Sequence, residues 1–284
     1  MGHLAVAALQ LVLKNQDNLS LVENEINRTC QRYPWVQMIV LPELCTFGPS
    51  PKLAVDLPGE VEDRYCKCAR ENSVWLIPGS IFERDGDEVY NTCPVINPEG
   101  EVVARHRKLF PFAPYEKGVA SGDRFVVFDV PDAGRVGLLI CYDMWFPEAV
   151  RTLAWMGAEA IICPTMTTTI DRDVELSIAR SNAATNQLWF LNINTAGDLG
   201  FGRSTVVGPD GTVIYTAGSM REIITVELDF NQVRRERERG LFGGCQTLKS
   251  FRDRAVQFPQ YKEGAGGGAF DTLGALQIPE KSSD

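Results

Sequence analysis

GLLICYDMWFPE, residues 137–148, carries the clearest structural signal in this sequence. Its first half predicts an apolar strand that runs directly into Cys141, and Pro147 and Glu148 predict the first turn of a helix. A strand, a sharp turn and a helix in this order form a nucleophile elbow, although here no glycine flanks the cysteine. Such a turn would lift the Cys141 thiol into a cleft beside backbone N–H groups, where it can become a thiolate and attack a carbonyl carbon. A buried structural cysteine at a strand end is the other interpretation of this stretch.

Strands and helices alternate on both sides of this stretch. Helical spacing of apolar residues predicts helices over 15–33, 60–72, 147–156 and 172–186. Short apolar runs predict strands over 4–12, 37–42, 74–84, 88–97, 101–108, 125–130, 135–140, 159–163, 188–194 and 221–229. Both halves of the chain therefore combine strand–helix–strand units with a hairpin. This combination predicts two sheets covered by helices in one layered α/β domain.

The predicted domain covers residues 1–263. The charged run at 234–239 is expected to be a solvated helix face or the end of a helix. The segment GAGGG at 264–268 begins a Gly-rich linker, and residues 264–284 form a C-terminal tail that contains several apolar side chains. This tail either docks on a neighbouring subunit or is mobile.

The composition excludes several classes of protein. Hydrophobic residues make up 44% and charged residues 23% of the 284 residues, which is typical of a globular protein and not of a disordered or fibrous one. A formal net charge of −9 disfavours nucleic acid or an anionic membrane as a partner. The chain has neither an apolar run of about 18 residues nor a recognisable signal peptide. The eight cysteines form no CxxC pair, so we expect mostly buried, reduced thiols in the cytoplasm.

A nucleophilic cysteine needs a base, and histidine is the usual choice. The only histidines are His3 and His106, and the sequence around neither suggests a Cys–His protease. A surface or strand-end histidine is the simpler interpretation of each. Two histidines and scattered cysteines also lack the spacing of metal ligands, so no metal and no cofactor is expected.

A carboxylate base with a lysine is the alternative. Glu43 ends the apolar run at 38–42, where a charge is costly unless it is used or paired. Lys108 ends the predicted strand 101–108 in the same way. The two side chains would meet if their strands end at one edge of a sheet, either as a structural ion pair or as part of a site. Glu116, eight residues beyond Lys108, is a second candidate carboxylate, although taken alone it is expected to be exposed.

Three motifs in order resemble the nitrilase superfamily, the carbon–nitrogen hydrolases. They are Leu41-Pro42-Glu43, His106-Arg107-Lys108-Leu109-Phe110 and the stretch from Cys141 to Glu148. The hairpin region with Gly202-Arg203-Ser204 and Gly208-Pro209-Asp210-Gly211 is also similar to that family. The resemblance runs from about residue 3 to about residue 240, which is most of the chain.

The resemblance implies a four-layer αββα sandwich of two mixed sheets covered by helices, with a Cys–Glu–Lys site. Carried over, Cys141 is the nucleophile, Glu43 the general base and Lys108 the oxyanion stabiliser, helped by the Tyr142 backbone N–H. Glu116 would be the second glutamate that positions the substrate. The implied reaction passes through a thioester and needs no cofactor.

The residues after the cysteine favour the amidase-type branch, because Tyr142 and Asp143 stand where nitrilases typically have Trp and Glu. Hydrolysis of a small amide is therefore preferred, ahead of a carbamoyl amide and a nitrile. Acyl transfer on the same site and an inactive scaffold of the same fold stay open. The candidate substrate-binding residues are Tyr115, Tyr142, Trp145 and Met166. Relatives commonly pair, so a homodimer or a higher homo-oligomer is expected.

Overall fold

The computed structural model describes residues 2–113 and 116–276. Its α-helices are α1 Leu19–Arg32, α2 Glu60–Asn72, α3 Pro147–Trp155, α4 Arg172–Asn186, α5 Phe230–Arg239 and α6 Thr247–Asp253. Its strands are β1 His3–Gln10, β2 Val12–Leu13, β3 Met38–Val40, β4 Val55–Asp56, β5 Trp75–Ile77, β6 Ile81–Asp85, β7 Glu88–Ile96, β8 Val102–Arg107, β9 Val127–Val130, β10 Gly134–Leu138, β11 Ala160–Thr165, β12 Trp189–Asn194, β13 Ala196–Gly197, β14 Thr205–Val207, β15 Val213–Thr216 and β16 Glu222–Asp229.

Most of the strands belong to two mixed sheets. The first has the order β16-β1-β3-β5-β7-β6-β4, with β8 also paired to β7, and the second has the order β15-β14-β12-β11-β10-β9. Parallel pairs lie at the centre of each sheet, β1–β3–β5 in the first and β10–β11–β12 in the second. Antiparallel neighbours flank these pairs, such as β16 on β1 and β9 on β10. Because parallel strands need crossovers, the helices between them come to cover the sheets.

Alternating side chains of β1 show how the layers form. Leu4, Val6 and Ala8 are buried in the core cluster between the two sheets. Ala7 and Leu9, which point the other way, are buried in a second cluster with residues of α1 and α2. A strand that is apolar on both faces is therefore buried on both sides, as a central strand of a layered fold must be.

The helices complete the outer layers. Val22 and Ile26 are on one face of α1 and pack onto the first sheet. Val150 and Leu153 of α3 pack with Ala183 of α4 on the second sheet. The order helix, sheet, sheet, helix confirms the predicted αββα sandwich. No helix among the described residues is long and apolar enough to cross a membrane.

Two predicted strands are wrong in their continuity. Residues 4–12 divide between β1, which ends at Gln10, and β2, which pairs with β13 in a separate two-stranded sheet. Residues 74–84 form two strands, β5 and β6, instead of one. The break between β5 and β6 contains Gly79, whose φ is +77°. The Cα of Gly79 lies so near the loop after β3 that a Cβ would be 1.9 Å from the carbonyl oxygen of Pro42. The turn at Gly79 is therefore packed against the backbone that leads into Glu43.

The chain beyond residue 240 returns to the outer face of α3. The ring of Phe251 in α6 meets Trp155 edge-on at 5.6 Å between centroids. The Tyr261 hydroxyl donates a hydrogen bond of 2.8 Å to Glu148 Oε1. Residues 264–276 have exposed side chains, and the rest of the predicted tail, residues 277–284, lies outside the described residues.

Candidate active site

Cys141 directly follows the segment that extends β10, at the point where the chain turns sharply. Its φ is +46°, a left-handed conformation that is uncommon for any residue other than glycine. A 3-10 helix covers Cys141–Trp145, and α3 begins at Pro147, so the strand, the turn and the helix follow one another as predicted. The side chain is 9% exposed. Strain of this kind is typical of residues that the fold holds in place for function.

Lys108 and two glutamates meet at the edge of the first sheet. Lys108 Nζ donates hydrogen bonds to Glu43 Oε1 at 2.8 Å and to Glu116 Oε2 at 2.7 Å. Strand β3 precedes Glu43 and β8 precedes Lys108. Because β3 is parallel to β5, and β7 is antiparallel to both β5 and β8, β3 and β8 run in the same direction and end at this edge. The side chains of Lys108, Glu43 and Glu116 are 2%, 3% and 6% exposed. Glu116 is therefore not exposed, contrary to what its loop taken alone predicted.

Asn91 was not among the predicted site residues. This residue of β7 is buried, and its Nδ2 donates hydrogen bonds of 2.9 Å to Glu43 Oε1 and 2.7 Å to Glu116 Oε1. Its backbone oxygen accepts a hydrogen bond of 2.8 Å from the Lys108 N–H. A polar residue inside a predicted strand was the only sequence signal, and such a residue gives no indication of its partners.

The charges around Cys141 determine which group carries the proton. Burial, and then the negative charge of Glu43, raise the pKa of the Cys141 thiol well above its usual range, against the opposing effect of Lys108. An electropositive turn would favour a thiolate, but the structure favours a thiol at rest. The Cys141 thiol acts on the pKa of Glu43, which indicates that this carboxylate lies near the proton. The Met166 backbone partly opposes the rise in the pKa of the thiol.

Burial also acts on the two partners of the thiol. It raises the pKa of Glu43, and Lys108 only partly reverses that effect. For Lys108, burial alone would lower the pKa, but the negative charge of Glu43, that of Cys141 when it is a thiolate, and that of Glu116 together raise it well above its usual value. The ammonium therefore stays charged, and the Glu43 carboxylate is a stronger base than a solvated one.

Asp143 connects the loop after Lys108 to the turn at Cys141. Its Oδ1 accepts hydrogen bonds from the backbone N–H groups of Leu109 at 3.0 Å and Phe110 at 2.9 Å. Its Oδ2 accepts one from the Ile140 N–H at 3.0 Å and lies 3.1 Å from His106 Nε2. Both side chains of the histidine–aspartate pair are completely buried.

The histidines do not serve Cys141. His106 is a buried strand residue whose partner is Asp143, so it is not on the surface. His3 lies on β1 and its Nδ1 is 2.9 Å from Glu227 Oε1. The Cys–His alternative therefore has no support in the contacts of either residue.

A pocket of about 170 Å³ opens at Cys141. Tyr142, Trp145 and Met166, three of the candidate substrate-binding residues, line it, while the fourth, Tyr115, lies outside the described residues. The other lining residues are Asn15, Pro49, Phe112, Thr167, Thr168, Thr169, Asp171, Glu175, Asp198 and Leu199. The aromatic and polar sides of this pocket suit a small ligand that has both an apolar part and a polar group.

A buried ion pair supports the polar side of the pocket. Glu175 of α4 accepts hydrogen bonds from Thr167 Oγ1 at 2.9 and 2.8 Å, and from Arg172 Nη1 at 2.9 Å. Arg172 also donates to Asn192 Oδ1 and, at 2.8 Å, to the carbonyl oxygen of Arg203. These contacts tie the loop after β11 to α4 and β12. Within residues 2–113 and 116–276, no group of three or more His, Cys, Asp or Glu side chains could hold a metal ion.

An αββα sandwich is the fold of the nitrilase superfamily. The family model described as carbon-nitrogen hydrolase matches residues 4–238. The chain therefore belongs to the carbon-nitrogen hydrolase family, as its motifs predicted.

Individual relatives agree with this assignment. The chain is 33% identical over 251 residues to the omega-amidase NIT2 of Homo sapiens, which covers 81% of this chain and 89% of the relative. Its structure is similar to that of Saccharomyces cerevisiae Nit3, a member of branch 10 of the nitrilase superfamily, with 30% identity, a TM-score of 0.77 and coverage of 84% and 94% of the two chains. It is also similar to a mutant of the amidase from Nesterenkonia sp. AN1 in complex with butyramide, with 25% identity, a TM-score of 0.74 and coverage of 84% and 95%.

Proposed function

We propose that the protein hydrolyses a small non-peptide amide to its acid and ammonia through a thioester on Cys141. The observation that carries this proposal is the convergence of Glu43 and Lys108 on one buried thiol. Lys108 Nζ is 2.8 Å from Glu43 Oε1, and the charges of both groups act on the pKa of the Cys141 thiol. The amidases among the similar proteins support an amide as the substrate.

The first half-reaction forms the thioester. Glu43 takes the proton of Cys141 as the sulfur attacks the amide carbonyl carbon, and a tetrahedral intermediate results. Lys108 has donated two of its three N–H groups to glutamates, so the third can meet the developing oxyanion together with the Tyr142 backbone N–H. When the C–N bond breaks, the protonated Glu43 gives its proton to the leaving nitrogen, and ammonia departs.

The second half-reaction regenerates the enzyme. Glu43, again a carboxylate, takes a proton from a water molecule that attacks the thioester carbonyl. Lys108 stabilises the second oxyanion in the same place. The C–S bond then breaks, the thiolate of Cys141 recovers the proton from Glu43, and the acid leaves.

The size of the pocket supports a small substrate. Its volume of about 170 Å³ is below the range of about 300–1,000 Å³ that is usual for drug-sized ligands. Trp145 and Met166 would contact the apolar part of the amide, while Thr167 lies on the polar side.

The experiment is a panel of primary amides, carbamoyl amines and nitriles, assayed for released ammonia with the wild type and with Cys141→Ala. We expect turnover of at least one small amide by the wild type and none by the variant, which should keep the circular dichroism of the wild type. Cys68→Ala is the matched control, because Cys68 is a buried cysteine of α2.

Intact mass measured during turnover gives a second readout. An acyl adduct on the wild type that is absent from Cys141→Ala would support the thioester. If a nitrile or a carbamoyl amine alone is consumed, the amide assignment is wrong, and if nothing reacts and no adduct forms, the inactive scaffold is favoured. Transfer of the acyl group to added hydroxylamine in preference to water would indicate a transferase.

A further inference from the structure

Asn91 hydrogen-bonds Glu43, Glu116 and Lys108, the three charged residues of this site. Its side-chain amide donates to Glu43 Oε1 and Glu116 Oε1 at 2.9 and 2.7 Å. Its backbone oxygen holds the Lys108 N–H at 2.8 Å. Because both N–H groups of the amide face carboxylates, the orientation of the side chain is determined by its partners.

The hydrogen bonds at the two glutamates show what this amide does for the base. Glu116 Oε1 is occupied by Asn91, and Glu116 Oε2 by Lys108 Nζ and the Phe112 N–H at 2.7 and 2.6 Å. Glu43 Oε1 is occupied by both Lys108 and Asn91. Among the described residues no hydrogen bond to the second oxygen, Glu43 Oε2, is found, so this oxygen is available to the proton of Cys141.

Charge gives the amide a second role. Two carboxylates share one ammonium in a site where all three side chains are at least 94% buried. Because both carboxylates contact the same ammonium, they lie close to each other, and the repulsion between two like charges favours the uptake of a proton by one of them. Asn91 supplies two further N–H donors without adding a titratable group. Two other ionisable groups act in this site. The Cys141 thiol affects the pKa of Glu43, and Glu175 raises the pKa of that thiol.

We infer that Asn91 is a positioning residue of this site, which directs Glu43 Oε2 toward the Cys141 thiol and favours the ionised form of Glu43 beside the single lysine. The inference rests on the proposed function, because it assigns Glu43 the task of removing the thiol proton. Neither the sequence motifs nor the residues that line the pocket indicated this role for Asn91.

The test compares the pH dependence of kcat/KM in the wild type, Asn91→Leu and Asn91→Asp. Leucine has nearly the same size but no donor, so the acid limb of the profile should move to higher pH by about one unit. At neutral pH we expect kcat/KM to fall by up to about 100-fold, with partial recovery as the pH rises. Asn91→Asp adds a third carboxylate, so its acid limb should move further in the same direction.

Asn186→Leu is the matched control. Asn186 is also a buried asparagine, and its side-chain amide donates to the carbonyl oxygen of Asn182 within α4. Its variant should keep the wild-type acid limb whatever its stability. An acid limb that stays at the wild-type pH in both Asn91 variants overturns the inference, even when kcat falls. If Asn91→Leu does not accumulate as folded protein, the isosteric Asn91→Asp decides alone.

A reaction without an amide separates this inference from the proposed function. The rate at which methyl methanethiosulfonate modifies Cys141 depends on removal of the thiol proton and needs no turnover. Its pH profile should shift in the Asn91 variants as kcat/KM does. If no amide is hydrolysed but this profile shifts, the proposed function fails and the role of Asn91 stands. If amides are hydrolysed and neither profile shifts, the inference alone fails.

Discussion

Removal of the Asp143 carboxylate is expected to destabilise the protein and to separate the loop after Lys108 from the turn at Cys141. Its four hydrogen-bond partners are the backbone N–H groups of Leu109, Phe110 and Ile140 and the ring of His106. In Asp143→Ala these buried donors lose their acceptor, and each unpaired donor costs about 1–3 kcal/mol. Because the loop can relax, we expect the lower end of the sum, a loss of about 4 kcal/mol in the free energy of unfolding.

Urea denaturation of the wild type, Asp143→Ala and Asp143→Asn measures this loss. Asparagine keeps an acceptor for Leu109 and Phe110, but its NH₂ group then faces the Ile140 N–H. We therefore expect about half the loss seen with alanine, with kcat reduced at least about tenfold because the Cys141 turn is no longer held. A loss below about 1 kcal/mol in Asp143→Ala, with wild-type kcat, would refute the reasoning.

Three further predictions follow from the buried charges and the backbone near the site. Because the pKa of Glu43 is raised, the acid limb of the kcat/KM profile should lie at a pH above the usual carboxyl range near 4.3. Glu43→Gln should be inactive at every pH, and a wild-type profile that stays flat down to pH 4 would contradict this prediction. Arg172→Met should lose about 3–5 kcal/mol of stability in urea, because it leaves Glu175 buried without its cation. Adding Glu175→Gln should restore part of this loss, whereas additive losses would show that the two residues are not coupled. Gly79→Ala should lower the melting temperature and the activity together, since its Cβ would meet the carbonyl oxygen of Pro42, the residue before Glu43. An unchanged melting temperature would contradict the close approach of Gly79 to this carbonyl group.

The sequence predicted those parts of the molecule that depend on local patterns. The helices over 60–72 and 172–186 agree with α2 and α4 at both ends, because apolar spacing and the flanking turn residues act within one element. The motifs around Glu43, Lys108 and Cys141 were found for the same reason. The roles assigned to these residues, and the homo-oligomer, stay predictions.

What the sequence could not predict depends on pairing between distant strands. Asn91 faces the glutamates because β7 lies between β5 and β8 in the sheet, and its own strand has no feature that indicates this. The break at Gly79 follows from the approach of the Pro42 carbonyl, 37 residues earlier in the chain. Asp143 was recognised as part of a motif, but its bonds to the loop after Lys108 appear only when the two sheets are stacked.

The two sheets contribute different halves of the chemistry. Glu43 and Lys108 follow strands of one sheet, whereas Cys141 follows β10 of the other. A partly folded chain that has formed a single sheet thus possesses either the Cys141 turn or the glutamate that would deprotonate its thiol. Nascent or unfolding molecules should consequently lack amide turnover, and its acquisition during refolding would report the moment at which the interior between the sheets closes.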